Sequence, residues 1–350
     1  MKRLFLSLFM FAFVGIILAQ PLVLHRQRSF AKHVPKGNFS GIAPLGQGLY
    51  LVVDDKQPDG FYVFQIDVNQ KKGKLKKVTN KGFISSGMPN RDAEDIIYRP
   101  LSNTLFINGE RDSEVLEYHI DGKATGRRLS MPDIFYQVQS NRGVEALAYD
   151  ALNDCIWLTT ERSLSIDEGE NSIKEASDET LGEVLRLQSF DASTLQPLQQ
   201  YAYRLEPAKA KKAGRAHVMG VSALTALPDG RLLVLERECF MPKRKIGAWV
   251  QCRLFLVNPK NSEPLLSSSH AIDDKASFLE KQLLCEWRTR NLRFANYEGM
   301  CLGPVLSDGR QVLLLVCDSQ NRYGSLLRDW FKTLVLPPFP IAVPTEKLAP

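Results

Sequence analysis

The sequence predicts an all-β fold, a β-propeller of four-stranded blades, from three observations. Five segments repeat one layout: a short apolar strand, a tight turn, then a second apolar strand that ends in an acid. Further strand-like runs follow each segment, and helix-period patterns are scarce, Asp274–Leu284 being the best. The units recur 51–77 residues apart, a spacing that suits four strands per blade.

The first unit pairs Ser40-Gly41-Ile42-Ala43 with Tyr50-Leu51-Val52-Val53-Asp54, and the second pairs Glu94-Asp95-Ile96-Ile97 with Leu105-Phe106-Ile107-Asn108-Gly109-Glu110. The third joins Glu145-Ala146-Leu147-Ala148 to Ile156-Trp157-Leu158-Thr159-Thr160-Glu161, and the fourth joins Ser222-Ala223-Leu224-Thr225 to Leu232-Leu233-Val234-Leu235-Glu236. The fifth runs from Glu298-Gly299-Met300-Cys301 to Val312-Leu313-Leu314-Leu315-Val316-Cys317-Asp318. Leading polar residue and trailing acid are 14, 16, 16, 14 and 20 residues apart, and Gly/Asp/Pro turns such as Pro228-Asp229-Gly230 lie between them. In a hairpin the start of one strand and the end of the other lie side by side, so each unit presents two polar residues together.

Third strands are expected at Phe61–Val68, Val115–Ile120, Val184–Phe190, Arg253–Val257 and Leu326–Leu336, and fourth strands at Gln200–Leu205 and Gln282–Trp287, among others. The fifth unit lacks an outer strand, which Pro21–Ala31 can supply, closing the ring from the N-terminus. Five blades are expected, or six if an insertion hides one. A β-sandwich is the plainer alternative, but it does not explain acids repeated at matched positions.

The chain has 350 residues, 44% of them hydrophobic, enough for a large core. Its 45 Lys+Arg against 39 Asp+Glu are spread along the chain, so a nucleic-acid footprint has little support. Lys2 and Arg3, the apolar run Leu4–Leu18 and Ala19 read as a secretory signal peptide, residues 1–19, leaving a single domain over 20–350. No later stretch is long and apolar enough to span a bilayer. The expected mature protein is a periplasmic or secreted monomer, its charge lowered from +6 to +4 with the loss of Lys2 and Arg3. Export permits disulfides among the six cysteines, and Cys239 with Cys252 could close the hairpin around Met241–Val250; the others suit buried thiols. No Cys/His spacing fits structural zinc.

In a propeller the leading residues Ser40, Glu94, Glu145, Ser222 and Glu298 share one channel mouth, ringed by Asp54, Asp55, Glu110, Glu161, Glu236 and Asp318. So many carboxylates on one face need compensation by cations, protons or hydrogen bonds. A hard cation suits oxygen donors, Ca²⁺ first and Mg²⁺ second, with Asp54, Glu110, Glu161, Glu236 and Asp318 as ligands. Asn38, Asn90, Asn141 and Asn296 could add oxygens. Arg91, Arg111, Arg142, Arg162 and Arg237 could hold a phosphate-bearing ligand or other small anionic ester. Glu94, Glu145 and Glu298 are then the candidate acid/base groups, with His217 as a further rim candidate. The alternative is structural pairing at the blade ends. Gly37-Asn38-Phe39-Ser40-Gly41 and Gly220-Val221-Ser222-Ala223-Leu224 are not nucleophile elbows, and no zincin, Walker A or dinucleotide motif occurs.

Phe39-Ser40-Gly41-Ile42 with Val53-Asp54-Asp55, Asp92-Ala93-Glu94-Asp95-Ile96, Asn141-Arg142-Gly143-Val144-Glu145-Ala146-Leu147 and Asn296-Tyr297-Glu298-Gly299-Met300 resemble the phytase-like family, labelled for esterase-like activity of phytase. The resemblance runs from Phe39 to Leu336. It implies an exported propeller hydrolase of phosphate or carboxylic esters, calcium-assisted. Two positions depart from the pattern: Ser222 replaces a leading Glu, and Asp95 replaces the glycine expected after Glu94. Because one fold hosts both roles, a non-catalytic propeller that binds an anionic ligand, glycan or protein stays open beside the hydrolase.

Overall fold

A computed structural model describes residues 21–136, 143–167, 183–244, 246–266, 270–272, 275–325 and 327–339. The chain forms five four-stranded antiparallel sheets set as the blades of a ring. Blade 1 is β3 (Phe39–Gly46), β4 (Leu49–Asp54), β5 (Gly60–Val68) and β6 (Leu75–Ser85). Blade 2 is β7 (Ala93–Arg99), β8 (Thr104–Gly109), β9 (Glu114–His119) and β10 (Ala124–Arg128). Blade 3 is β11 (Val144–Asp150), β12 (Cys155–Thr160), β13 (Val184–Asp191) and β14 (Pro197–Arg204). Blade 4 is β15 (Ala216–Ala226), β16 (Leu232–Met241), β17 (Trp249–Val257) and β18 (Lys281–Arg290). Blade 5 takes β19 (Asn296–Val305), β20 (Gln311–Asp318) and β21 (Trp330–Leu336) from the C-terminal part. Its outer edge comes from the N-terminal part: β1 (Val23–Leu24) and β2 (Arg28–Ser29) both pair with β21.

The blades are held by apolar layers between them. Middle strands such as Thr104–Gly109 and Cys155–Thr160 are buried at every residue, because both faces of each sheet pack on a neighbour. Five apolar clusters result, one at each blade interface; Phe39, Phe64, Val316 and Phe331 belong to the cluster between blades 1 and 5. The inner strands β3, β7, β11, β15 and β19 each lie beside those of two neighbouring blades and surround the channel. They approach so closely that a Cβ on Gly41 would stand 2.5 Å from Asp95 Cα, which is why small residues follow most leading positions.

Asp95 breaks that small-residue rule for a structural reason. Its buried carboxylate accepts the backbone N–H of Leu147 on blade 3 at 2.8 Å and of Ile96 at 2.8 Å, and that of Ile42 on blade 1. It thus ties three neighbouring inner strands, whose channel-side N–H groups have no ladder partner.

Three sequence expectations are corrected. The expected helix Asp274–Leu284 is absent from its described residues, 275–284: Leu279 donates to Ala202 of β14, and β18 starts at Lys281 to complete blade 4. Pairing at a sheet edge outweighs a helical period only a few turns long. The last third strand starts at Trp330, not Leu326. All six cysteines are free thiols. Cys239 opposes Val250 and Cys252 opposes Arg237, so the two thiols are diagonal neighbours. Diagonal Cβ atoms lie roughly 7 Å apart, too far for a disulfide.

Candidate active site at the channel mouth

Every inner strand carries a β-bulge at the same level. The pairing skips one residue between Phe39 and Gly41, Val144 and Ala146, Val221 and Ala223, and Tyr297 and Gly299, and it skips within the Glu94–Asp95 pair of β7. The extra residue is in each case the leading polar one: Ser40, Glu94, Glu145, Ser222 or Glu298. A bulge re-aims its side chain out of the ladder, here at the end of the channel. Not every leading group faces the channel freely. Ser40 Oγ donates to Ala93 O at 2.6 Å, tying blade 1 to blade 2.

The residue opposite the second position before each bulge completes the ring. Asp55 donates its N–H to Asn38 O and Glu110 donates its own to Asp92 O, while Arg237 pairs with Gly220 and Asp318 with Asn296. Glu161 follows Thr160, the partner of Val144, at the same level. The ring is therefore Asp55, Glu110, Glu161, Arg237 and Asp318: four acids and one arginine.

Two predicted members fall out of it. Asp54 opposes Phe39 and Glu236 opposes Val221, one residue further along, and one step along a strand turns a side chain to the other face. Asp54 is buried against Gly37 and accepts Lys56 N–H at 3.0 Å. Glu236 is locked between blades 3 and 4 by Tyr203 Oη at 2.9 Å and Lys281 Nζ at 2.7 Å.

The predicted arginines disperse as well. Arg91 turns between blades 1 and 2, where Asp112 (2.7 and 3.0 Å), Tyr118 Oη (3.0 Å) and Glu114 O (2.9 Å) take up its donors. Arg162 is clamped by Glu183. Arg111 stays at the rim, with its side chain 59% exposed and Asp92 at 3.4 Å. Arg142 and Asn141 lie outside the described residues, as does the 1–19 segment. Among the described arginines of this set, only Arg237 enters the mouth as an inner group. It bridges Glu161 and Glu298, and it donates to Asn296 Oδ1 at 3.0 Å. The recurring asparagines orient neighbours: Asn296 donates to Glu298 at 2.7 Å, Asn90 to Asp55 O at 2.7 Å, and Asn38 accepts Asn321 N–H at 2.6 Å. His217 is bound to Glu238 at 3.1 Å, away from the rim.

Glu94, Glu145 and Glu298 are all held well above the usual carboxylate range, first by burial and then by repulsion from neighbouring acids. Burial pushes Asp55 up to about 6 and raises Asp318 and Glu110. One oxygen from each of Asp55, Asp92 and Glu94 lies within 4.8 Å of the others, a group built from blades 1 and 2. Asp92 reaches it from a left-handed backbone (φ 58°), and Lys56 Nζ lies 2.7 Å from Asp55 and 3.1 Å from Asp92. Asp55 Oδ1 is buried with no hydrogen-bond partner among the described residues. Asp92 and Lys56 escape a search for repeated positions because each occurs in one blade only.

The raised glutamates make a prediction with a definite sign. Unfolded Glu titrates near ~4.3, so between that pH and the higher folded value the native state binds more protons and stability falls as pH rises. Glu145→Gln removes one such group and is expected to stabilise the protein by about 1–2 kcal/mol at pH 8, an advantage that vanishes near pH 4. Urea unfolding at the two pH values reads it; equal stability at pH 8 would mean that Arg237 already offsets this carboxylate.

Fold and site define a five-bladed propeller with an acid-ringed channel mouth. The chain belongs to the phytase-like family, described as esterase-like activity of phytase, whose model matches residues 34–320. Among solved structures it is similar to a streptogramin B lyase, at 12% identity and TM-score 0.37, covering 89% of this chain and 98% of that one. It is also similar to the PQQ domain of pyranose dehydrogenase from Coprinopsis cinerea, at 11% identity and TM-score 0.42, covering 90% and 97%. No curated protein matches the chain.

Proposed function

We propose that the protein is an exported hydrolase of phosphate or carboxylic esters that works at the channel mouth with Ca²⁺ held by Asp55, Asp92 and Glu94. The observation that carries this reading is that carboxylate trio, whose oxygens converge while Asp55 also keeps a buried Oδ1 without a hydrogen-bond partner among the described residues. All three donors are hard oxygens, as Ca²⁺ prefers, and a dication would offset the burial, and then the repulsion between acids, that raise Asp55 and Glu94. When bound, the ion supplies Lewis-acid polarisation of the ester oxygen and a more acidic water.

The chain's own groups supply the rest. Lys56 shares the trio's charge and would give way where an ion is held, its side chain being 55% exposed. Arg111 already touches Asp92, so an anion held beside the trio meets an available guanidinium there. Arg237 is committed to Glu161 and Glu298 and orients the latter. Glu145, whose carboxyl is held well above the usual carboxylate range by burial and then by Glu161, is suited to hand a proton to a leaving alkoxide. The 1–19 segment supports export.

The test uses chromogenic phosphate and acetate esters. Turnover is expected with Ca²⁺, lost with a chelator, and reduced at least ~100-fold in Glu94→Gln and Asp55→Asn, in line with loss of a metal ligand or acid/base group. Saturating Ca²⁺, at about 100 times its Kd, should also add about 2.7 kcal/mol of stability to the parent and none to Glu94→Gln. Turnover indifferent to chelator and to both substitutions would reject this site. Saturable Ca²⁺ uptake without turnover on any ester would identify the mouth as a binding site instead.

A further inference from the structure

Blade 4 is taller than the others. Past the ring residue Arg237, β15 and β16 stay paired through Met219–Glu238, Val218–Cys239, His217–Phe240 and Ala216–Met241, and Trp249 and Arg290 extend β17 and β18 alongside. Four residues of strand lift this end about 13 Å beyond the mouth. Two stretches far apart in sequence meet there. The segment leading into β15 brings Lys211 and Lys212, and the β16–β17 loop brings Lys243 and Arg244, around a groove floored by Phe240 and Trp249. All four cations are exposed, and none makes an ion pair among the described residues. The acids nearest along these strands are otherwise engaged: Glu238 is buried under Lys209 N–H, Ala210 N–H and His217, and Glu286 accepts from Gln251. At the tip stands Ile246, 87% exposed, and Arg288 lies over the Trp249 ring at 4.2 Å.

We propose that this projecting end of blade 4 docks on an anionic lipid bilayer. The cations surround an exposed aliphatic tip rather than converging on one point. That arrangement suits a charged surface into which Ile246 and the Trp249 edge can sink, because each basic group near such a surface adds attraction and the tip adds apolar burial. A free phosphate would use neither Ile246 nor the spread of charge. No helix among the described residues is long and apolar enough to cross a membrane. Docked this way, the chain holds its acidic mouth toward the lipid headgroups, a short distance above them.

The experiment is co-sedimentation of the full chain with vesicles of phosphatidylcholine alone or mixed one to two with phosphatidylglycerol. Binding is expected only to the mixed vesicles, weakening steeply as NaCl is raised through the range where the Debye length falls below ~8 Å. The quadruple variant Lys211→Ala, Lys212→Ala, Lys243→Ala, Arg244→Ala should lower the partition coefficient roughly 100-fold or more, and Ile246→Ser roughly tenfold, with the thermal midpoint unchanged. Equal binding to neutral vesicles, no binding to either, or binding untouched by both variants would overturn the proposal. So would binding abolished by inorganic phosphate at an ionic strength at which NaCl leaves it intact, an outcome that assigns the groove to a soluble anion.

Discussion

Arg237→Met is expected to destabilise the protein by about 3–5 kcal/mol at pH 8, because removing one partner of a buried ion network strands the others. Arg237 is 5% exposed, and both Glu161 and Glu298 depend on it, with Glu145 close enough to feel its charge. Methionine keeps the length and the apolar stem, so the loss measures charge and hydrogen bonds rather than a cavity. The pH dependence identifies the cause. Without the guanidinium Glu145 and Glu298 take up protons more readily, so the deficit should shrink as pH falls toward 5. Adding Glu298→Gln to Arg237→Met should recover part of the loss at pH 8. Urea unfolding at both pH values provides the measurement, and a deficit under about 1 kcal/mol at pH 8 would show that water, not Arg237, compensates these acids.

The second large effect is at Asp95. Repeat logic treats it as an irregularity, since the equivalent residue is Gly41, Ala146, Ala223 or Gly299 in the other blades. Asp95→Ala, which restores the repeat, should therefore be harmless if the repeat is the whole explanation. The structure predicts the opposite. The N–H groups of Ile42, Ile96 and Leu147 would lose their shared acceptor inside the ring, at a cost of about 2–4 kcal/mol given roughly 1–3 for each buried orphan and partial rescue by water. Amide exchange at Leu147 should rise in the same variant, since its N–H is released. An Asp95→Ala protein as stable as the parent would mean that the three strands find other acceptors.

Most of the fold was legible in the sequence. Buried middle strands, turn residues and leading polar residues recur because every blade solves the same packing problem, and even the N-terminal closure of blade 5 follows from a missing outer strand near Pro21–Ala31. The site was legible only in part. Glu94, Glu145, Glu298, Glu110, Glu161, Arg237 and Asp318 do meet at the mouth. Asp54 and Glu236 do not, because turn length sets which of two adjacent residues faces the channel, and the neighbouring Asp55 and Arg237 take those places. Arg162 follows a trailing acid in the sequence just as Arg237 does, yet it has an acid of its own at a blade edge, and so does Arg91, which precedes a leading glutamate.

The amino-acid sequence alone determined the strand content, the number of repeats and the residue types that reach the mouth, since these depend on local alternation and turn chemistry. Tertiary structure alone decided which acids share a space, which arginine is spent among them, and that Asp92 joins Asp55 and Glu94 across two blades. Those are questions of register and of contact between distant segments. A shift of one residue turns a carboxylate from channel to core and leaves the composition of the strand unchanged.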